Sequence, residues 1–382
     1  MPRLMLDEFQ AEVTHAARHA PSSSDTLEYL VRQTAIRELI DWEVPGITDV
    51  TNECSAKPGR VRAIRMDLLR GANNLKKPVI AGLILLAALE QKFRQKSVDC
   101  LVDGGNMNSG FALEYYCERL GARAHYVMSR YFPAKMVDLI ASNRVKVELA
   151  PPSVGVSLER EFYSYLVTLK RNAEFRKDKV WLWHAKRSAR VMSLLGREMA
   201  ASLSPVPDTV VTSLGSGASL ALLLSAAGSS GARPHVVVAE HEASPILARR
   251  GCRARSSNRL ESPDPRADSR EFHDPGFARI PHSVLGPHYE ELNPFIDPTM
   301  LGTIDCVQLY GESHWKNWSL RLAAAGLPVG NSSAAHLMVA AKMARAGGDV
   351  LTVIAEPLRP YYLERFWSSE RAKSTGATEC VA

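Results

Sequence analysis

Short apolar runs alternate with polar turns and longer amphipathic or apolar stretches along most of this chain. Val98 to Val102, Ala124 to Met128, Val145 to Leu149, Thr209 to Thr212, His235 to Ala239 and Val350 to Ile354 are each a few residues long and largely apolar on consecutive positions. Such runs predict strands covered on both faces. Between them, helices are expected from Pro78 to about Gln95, from about Gly110 to Leu120, from near Pro133, and from Leu220 to about Ala227. Buried strands separated by helices predict parallel sheets with helices on both faces, an α/β fold.

The punctuation of the pattern suggests its organisation. Residues up to about Glu43 read as two polar, amphipathic helices separated by Pro21-Ser22-Ser23-Ser24, an added arm over 1–44. Joins are expected at Ala150-Pro151-Pro152-Ser153 and near Lys177-Asp178-Lys179. From Arg253 to about Pro281 the chain is rich in Arg, Ser, Asp and Pro, which predicts a long mobile surface loop. A disordered tail is expected over 367–382.

Composition narrows the classes. The 382 residues are 46% hydrophobic and 23% charged, which suits a globular protein with an ample core. The net charge of +6 is diffuse, and its densest part, Arg249 to Arg255, has no interleaved aromatics to stack bases, so no nucleic-acid partner is expected. The six cysteines form no C-x-x-C pair, so no metal site is indicated, and their scatter suits a reducing compartment. Met1 to Glu8 lacks the apolar region of a signal peptide, and the longest apolar run, Val79 to Leu89, is too short to span a bilayer. A cytoplasmic protein without membrane contact is the expectation.

The chemistry concentrates at turns. Ser213-Leu214-Gly215-Ser216-Gly217-Ala218-Ser219 follows a strand and opens an apolar helix. Its glycines admit close backbone approach, and a helix start offers free N–H groups to a phosphate. Far upstream, Lys76-Lys77-Pro78 opens another helix, where cations are unfavourable and need compensation. Gly104-Gly105-Asn106, Gly311-Glu312-Ser313 and Gly330-Asn331-Ser332-Ser333 stand at similar junctions, and a parallel sheet gathers such turns at its carboxyl edge. A dinucleotide site is one reading, with Gly215-x-Gly217 and Glu240 at the end of the next strand, but Leu220 occupies the third glycine position. His184, after Trp181-Leu182-Trp183, is a candidate proton carrier with a structural role as the plainer reading. Trp315 and Trp318, at helical spacing, read as core or subunit contact.

Together the turns and the lysine resemble the pyridoxal-phosphate enzymes of the tryptophan synthase β type, particularly the cysteine synthase branch. The resemblance runs from about Pro45 to Phe366. Asn74-Leu75-Lys76-Lys77-Pro78 to Gly82 is similar to the segment whose lysine carries the cofactor, and the spacing to Gly82 and Ala87-Ala88 favours Lys77. Gly104-Gly105-Asn106 resembles the loop whose Asn contacts the cofactor. Gly215-Ser216-Gly217-Ala218-Ser219 resembles the phosphate cup, and Gly330-Asn331-Ser332-Ser333 the segment whose serine, here Ser332, bonds the pyridine nitrogen.

The likeness implies two parallel-sheet domains enclosing the cofactor in a cleft. The smaller covers 71–178 and carries a mobile substrate loop; the larger covers 45–70 and 179–366. It further implies a homodimer that performs β-replacement or β-elimination on a serine- or cysteine-like amino acid. Departures stand out: Leu75 and Pro78 flank the lysines, and the substrate-binding loop, Asp103, Gly104, Gly105 and Met107, carries Asp103, Gly104 and Met107 where the family has hydroxyls. An aspartate there would repel a substrate carboxylate unless its side chain turns away or carries a proton. The cofactor site therefore reads as kept and the substrate site as rewritten, which suggests a specialised biosynthetic step. An NAD-dependent oxidoreductase and a non-catalytic relative of the family are the alternatives.

Overall fold

The computed structural model describes residues 6–21, 25–90, 92–93, 100–130, 132, 134–153, 157–228, 231, 233–252, 254–255 and 291–359. Most of the expected 253–281 loop and all of the 367–382 tail lie outside these residues. Two sheets carry the structure. The larger contains β1 (Ile47–Asp49), β2 (Arg60–Arg65), β7 (Thr209–Thr212), β8 (His235–His241), β9 (Ala254–Arg255), β10 (Cys306–Tyr310) and β11 (Asp349–Ile354), in the order β1-β2-β11-β7-β8-β10-β9. The smaller contains β3 (Cys100–Gly105), β4 (Arg123–Met128), β5 (Val145–Leu149) and β6 (Lys179–Trp181), in the order β5-β4-β3-β6. Every pairing between these strands is parallel except β1 with β2. The α/β architecture read from the pattern is the one observed.

Strands with mixed composition escape a hydrophobicity reading. β2 reads Arg-Val-Arg-Ala-Ile-Arg, yet Arg62 is buried because it forks onto Asp349, with Nε to Oδ1 at 3.0 Å and Nη2 to Oδ2 at 2.8 Å. A bidentate guanidinium–carboxylate pair of this kind is how a charge enters a sheet interior. β10 buries Gln308, whose Oε1 accepts from Lys342 Nζ at 2.9 Å. β6 pairs with β3, with Leu101 opposite Val180, so 179–181 completes the small sheet. The larger unit expected from residue 179 thus begins one strand too early.

Three helices form the apolar middle. Lys76–Leu89 is buried from Lys76 to Ala88, as an all-round apolar helix must be. Ala218–Ala227 is nearly as apolar, and amphipathic His184–Met199 packs against both. Small residues set the approach: a Cβ on Gly196 would lie 2.4 Å from Leu222 O, and one on Gly82 would lie 2.4 Å from Val191 Cγ1.

The arm has three described helices, Leu6–Ala17, Thr26–Arg32 and Thr34–Leu39, rather than two, because extended Gln33 breaks the second stretch. It is docked. Gln10 Nε2 donates to Ala88 O at 2.8 Å and Tyr116 Oη to Ile40 O at 2.8 Å. Among the described residues no helix is long and apolar enough to cross a membrane, and no His, Cys, Asp or Glu cluster is arranged to hold a metal ion.

Candidate active site

The carboxyl ends of β3, β7 and β11 converge on one cavity, so both sheets contribute to its wall. After β3, Asn106 caps helix Met107–Leu120 through Oδ1 and lines the cavity; Tyr126 Oη donates to its carbonyl at 2.6 Å. After β7, the turn from Ser213 to Ser219 forms a second wall. Gly217 holds φ +80 there, a conformation that favours glycine, and no side chain caps helix Ala218–Ala227 behind it. First-turn N–H groups of a helix have no intrahelical partner, so this end is open to an anion. Ser332 and His336, on helix Asn331–Ala344, and Ala355, after β11, close the remaining side.

Lys76 enters this cavity and Lys77 does not. The Lys76 amine, on a residue 8% exposed, donates to Ser216 Oγ at 3.1 Å. Lys77, 1% exposed, points to the arm, where its amine meets Asp41 Oδ2 at 2.7 Å and also pairs with Glu43. The Tyr115 ring lies 5.6 Å away. The cause is helical geometry, since consecutive residues point about 100° apart. The start is fixed by Leu75 N–H donating to Ala355 O at 2.7 Å and Lys76 N–H donating to Asn74 Oδ1 at 2.7 Å. Spacing to Gly82 carries no information on that rotation. The sequence pattern favours Lys77, whereas Lys76 is the lysine that lines the cavity.

Burial pushes the Lys76 amine down to about 8, against the opposing pull of Asp103 and Glu356. A neutral amine is therefore accessible near neutral pH, which a nucleophile or base needs. His336 is also buried. Nδ1 lies 3.1 Å from Val353 O, an acceptor, so it carries the proton, and Nε2 accepts from Ser213 N–H at 2.9 Å. Burial lowers its pKa to about 4, so a neutral imidazole anchors the start of the phosphate turn.

The predicted substrate loop is arranged differently from expectation. Asp103 does not face the cavity. Its Oδ1 accepts from the N–H groups of Gly104 at 2.9 Å and His184 at 3.2 Å, and its Oδ2 lies 3.0 Å from His184 Nδ1. The His184 ring presents its other edge to Gly105, where an added Cβ would lie 2.5 Å from Cε1 and 3.0 Å from Nε2. A Cβ on Gly104 would press on Leu166 and Val127 O, and Met107 is buried in the core. Asp103, Gly104, Gly105 and Met107 are therefore absent from the cavity lining. Glu240 accepts from the Leu247 and Ala248 N–H groups at 2.7 and 3.2 Å, which ties its carboxylate to the following turn. Trp315 is core; Trp318 stacks near Arg321 and Arg345. Asn106, Gly215, Ser216, Gly217, Ala218, Ser219 and Ser332 are brought together around Lys76.

A family model described as pyridoxal-phosphate dependent enzyme matches residues 77–356. The chain belongs to this family. The dinucleotide reading is thereby overturned. This pyridoxal-phosphate enzyme is similar in fold to an O-ureido-L-serine synthase, at 19% identity and TM-score 0.63, over 87% of this chain and 94% of that one. It is similar also to an O-acetylserine dependent cystathionine β-synthase from Helicobacter pylori, at 18% identity and TM-score 0.60, over 86% and 97%. A hydrogen sulfide-producing enzyme from Fusobacterium nucleatum aligns at 14% identity and TM-score 0.62, over 90% and 100%. A comparison with curated proteins gives no match.

The cavity suits the cofactor. It offers a buried amine for an aldehyde, an uncapped helix start for a phosphate, and Asn108, whose buried Oδ1 has no partner among the described residues. Asn108, His336 and Glu356 were not singled out in the sequence. Nothing in a local motif marks a histidine in mid-helix or a glutamate past a strand end.

Proposed function

We propose that this enzyme catalyses β-replacement or β-elimination on a serine- or cysteine-like amino acid, with Lys76 as the residue that holds the cofactor and moves the substrate's α-proton. The observation that carries the reading is the Lys76 amine, buried beside Ser216 in a cavity built from the carboxyl edges of both sheets. Bound pyridoxal phosphate supplies an aldehyde that condenses with amines and a ring that accepts electron density from the α-carbon. The residues from Gly215 to Ser219 hold its phosphate through backbone N–H groups and serine hydroxyls. Asn106 and Ser332, which both line the cavity, would hold its ring. The Lys76 amine, buried in the cavity with its pKa lowered to about 8, would serve as the neutral base for the α-proton of a substrate held there. That Lys76, Asn106, the turn from Gly215 to Ser219 and Ser332 line one cavity weighs against a non-catalytic relative.

Two neighbours bear names with serine-derived substrates, O-ureido-L-serine and O-acetylserine, which supports the substrate class. Because Asp103 is turned onto His184, it does not repel a substrate carboxylate. At the Gly105 edge of the loop stand two polar groups, Ser109 Oγ and His184 Nε2, 2.8 and 3.0 Å from where a Cβ would lie. The specialised biosynthetic role and the homodimer in the cytoplasm belong to the same reading.

Borohydride reduction followed by peptide mapping tests the assignment. The pyridoxyl label is expected on Lys76, lost in Lys76→Ala and kept in Lys77→Met. A label on Lys77 would overturn it. Turnover of O-acetyl-L-serine with sulfide, compared with other O-substituted serines, tests the substrate class.

A further inference from the structure

Helices Glu312–Ala324 and Asn331–Ala344 enclose, over β10, a second cavity of about 220 Å3. It shares no lining residue with the cavity of Lys76. Its surface is largely apolar, with Met338 and Val339 buried in its wall and Trp318 half-buried. The charged groups at it all carry one sign. Arg321 and Arg345 are exposed, and their guanidinium carbons lie 5.0 and 5.8 Å from the centre of the one Trp318 ring. Arg345 is braced by its Nε, which donates to Ser55 O at 3.2 Å. Lys342 Nζ, also at the cavity, donates to Oε1 of buried Gln308 at 2.9 Å. None of the lining residues is an aspartate or a glutamate.

Helical spacing explains how these groups meet. Trp318 and Arg321 are three residues apart on one helix, and Met338, Lys342 and Arg345 follow at four and three on the other, so each set shares a face. Cations in a last helical turn complement the helix dipole, and Arg321 and Lys342 each lie in such a turn. That accounts for their presence at the helix ends. It does not account for two guanidiniums on one indole beside an apolar cavity, where like charges repel and low-dielectric walls focus their field. His314, a further lining residue, accepts from Gly311 N–H at 3.1 Å through Nδ1, so its neutral ring carries the proton on Nε2 and is a donor as well.

We propose that this cavity binds a small aromatic monocarboxylate, its ring against Trp318 and the apolar wall and its carboxylate on Arg321 and Arg345. Each part of the assignment excludes an alternative. A compact inorganic anion would leave the Trp318, Met338 and Val339 surfaces uncovered. An amino acid would bring an ammonium group to a site whose lining offers it no carboxylate and three cations. A planar carboxylate matches the guanidinium fork, and an aromatic body matches the indole face. The volume is below the roughly 300–1,000 Å3 of clefts that hold drug-sized ligands, so the acid is a small one. Its contacts fall on the helix that carries Ser332 and His336 into the other cavity, yet on different residues, so it does not compete with the amino acid for the cofactor.

The experiment is saturation-transfer NMR on the holoenzyme, with hydrocinnamate as the probe and hydrocinnamyl alcohol as its uncharged counterpart. For an acid of this size a dissociation constant of about 1 mM is expected. The alcohol, and the acid with Arg321→Gln/Arg345→Gln, are expected to bind about tenfold more weakly. Trp318→Leu is expected to weaken the acid and to leave bound-cofactor absorbance unchanged. No transfer to the acid at roughly ten times the expected constant overturns the proposal. So does an alcohol that binds as tightly as the acid, or full affinity in the double variant. Displacement of the acid by L-serine would place it in the cofactor cavity and overturn the proposal too. Should the double variant fail to fold, Arg321→Gln alone, at an exposed position, is expected to bind about threefold more weakly, and unchanged affinity there overturns the assignment.

Discussion

At the scale of single residues, two adjacent lysines divide the labour. Lys77 is enclosed by Asp41 and Glu43, whose carboxyls burial would raise but whose bonds to Lys77 hold them below their usual range. Removing one partner of a buried ion cluster leaves uncompensated charge, at about 3 kcal/mol. Lys77→Met is therefore expected to lower unfolding free energy by about that amount in denaturant titration while cofactor attachment persists. His336 gives a pH signature. Its folded pKa near 4 lies below the unfolded value near 6.5, so below 6.5 the unfolded chain takes up the proton and stability falls, levelling off near pH 4. Two and a half units correspond to a loss on the order of 3 kcal/mol. His336→Asn should be less stable than wild type at pH 7 but show a smaller further loss between pH 6.5 and 4; equal slopes in the two proteins would exclude His336 as the source.

At the scale of elements, the site is made by two strand-to-helix turns, after β3 and after β7, together with the chain leaving β11. Gly217 holds φ +80, and a Cβ there would lie 2.8 Å from Met300 Sδ. Gly217→Asp adds that clash and a negative charge at the place of the phosphate. It is expected to abolish cofactor binding, read as loss of bound-cofactor absorbance in a protein whose circular dichroism is unchanged. The helix His184–Met199 starts under the substrate loop, and Asp103 fixes its first imidazole. His184→Asn is expected to weaken the spectral response to added L-serine severalfold, with cofactor retention unchanged. An unaltered serine titration would reduce the Asp103–His184 pair to loop support. These two variants separate the phosphate end of the cavity from the substrate end.

At the scale of the whole molecule, the arm is part of the catalytic architecture through its charges. Asp41 and Glu43 come from its end, and without them Lys77 would be a buried cation next to the lysine that faces the cavity. Deleting residues 1–44 is expected to lower the melting temperature by several degrees and to weaken cofactor retention, both measured on the reconstituted protein. Retained affinity at wild-type stability would show that Tyr115 and solvent suffice around Lys77. The two sheets join at the cavity, so cofactor binding should raise the melting temperature of the full chain in proportion to the logarithm of its concentration.

The sequence by itself determined the alternation of buried strands and helices, because β3, β4, β5, β7, β8 and β11 are apolar enough to be read from residue type alone. It also determined the glycine turns at their carboxyl ends, since a backbone that must approach a phosphate or hold a positive φ admits few other residues. β2 was not legible: its arginines look like surface until Asp349, nearly three hundred residues away, takes up Arg62. The rotation of the helix beginning at Lys76 was decided by Ala355 and Asn74, and with it which lysine enters the cavity. Asp103 reads as a repulsive group in the loop until His184 is brought against it. Glu356 reads as nothing until Ser332 and Asn108 close on it. Local pattern fixes what a backbone segment can be, whereas the charge and direction of a side chain depend on partners that only folding brings within reach.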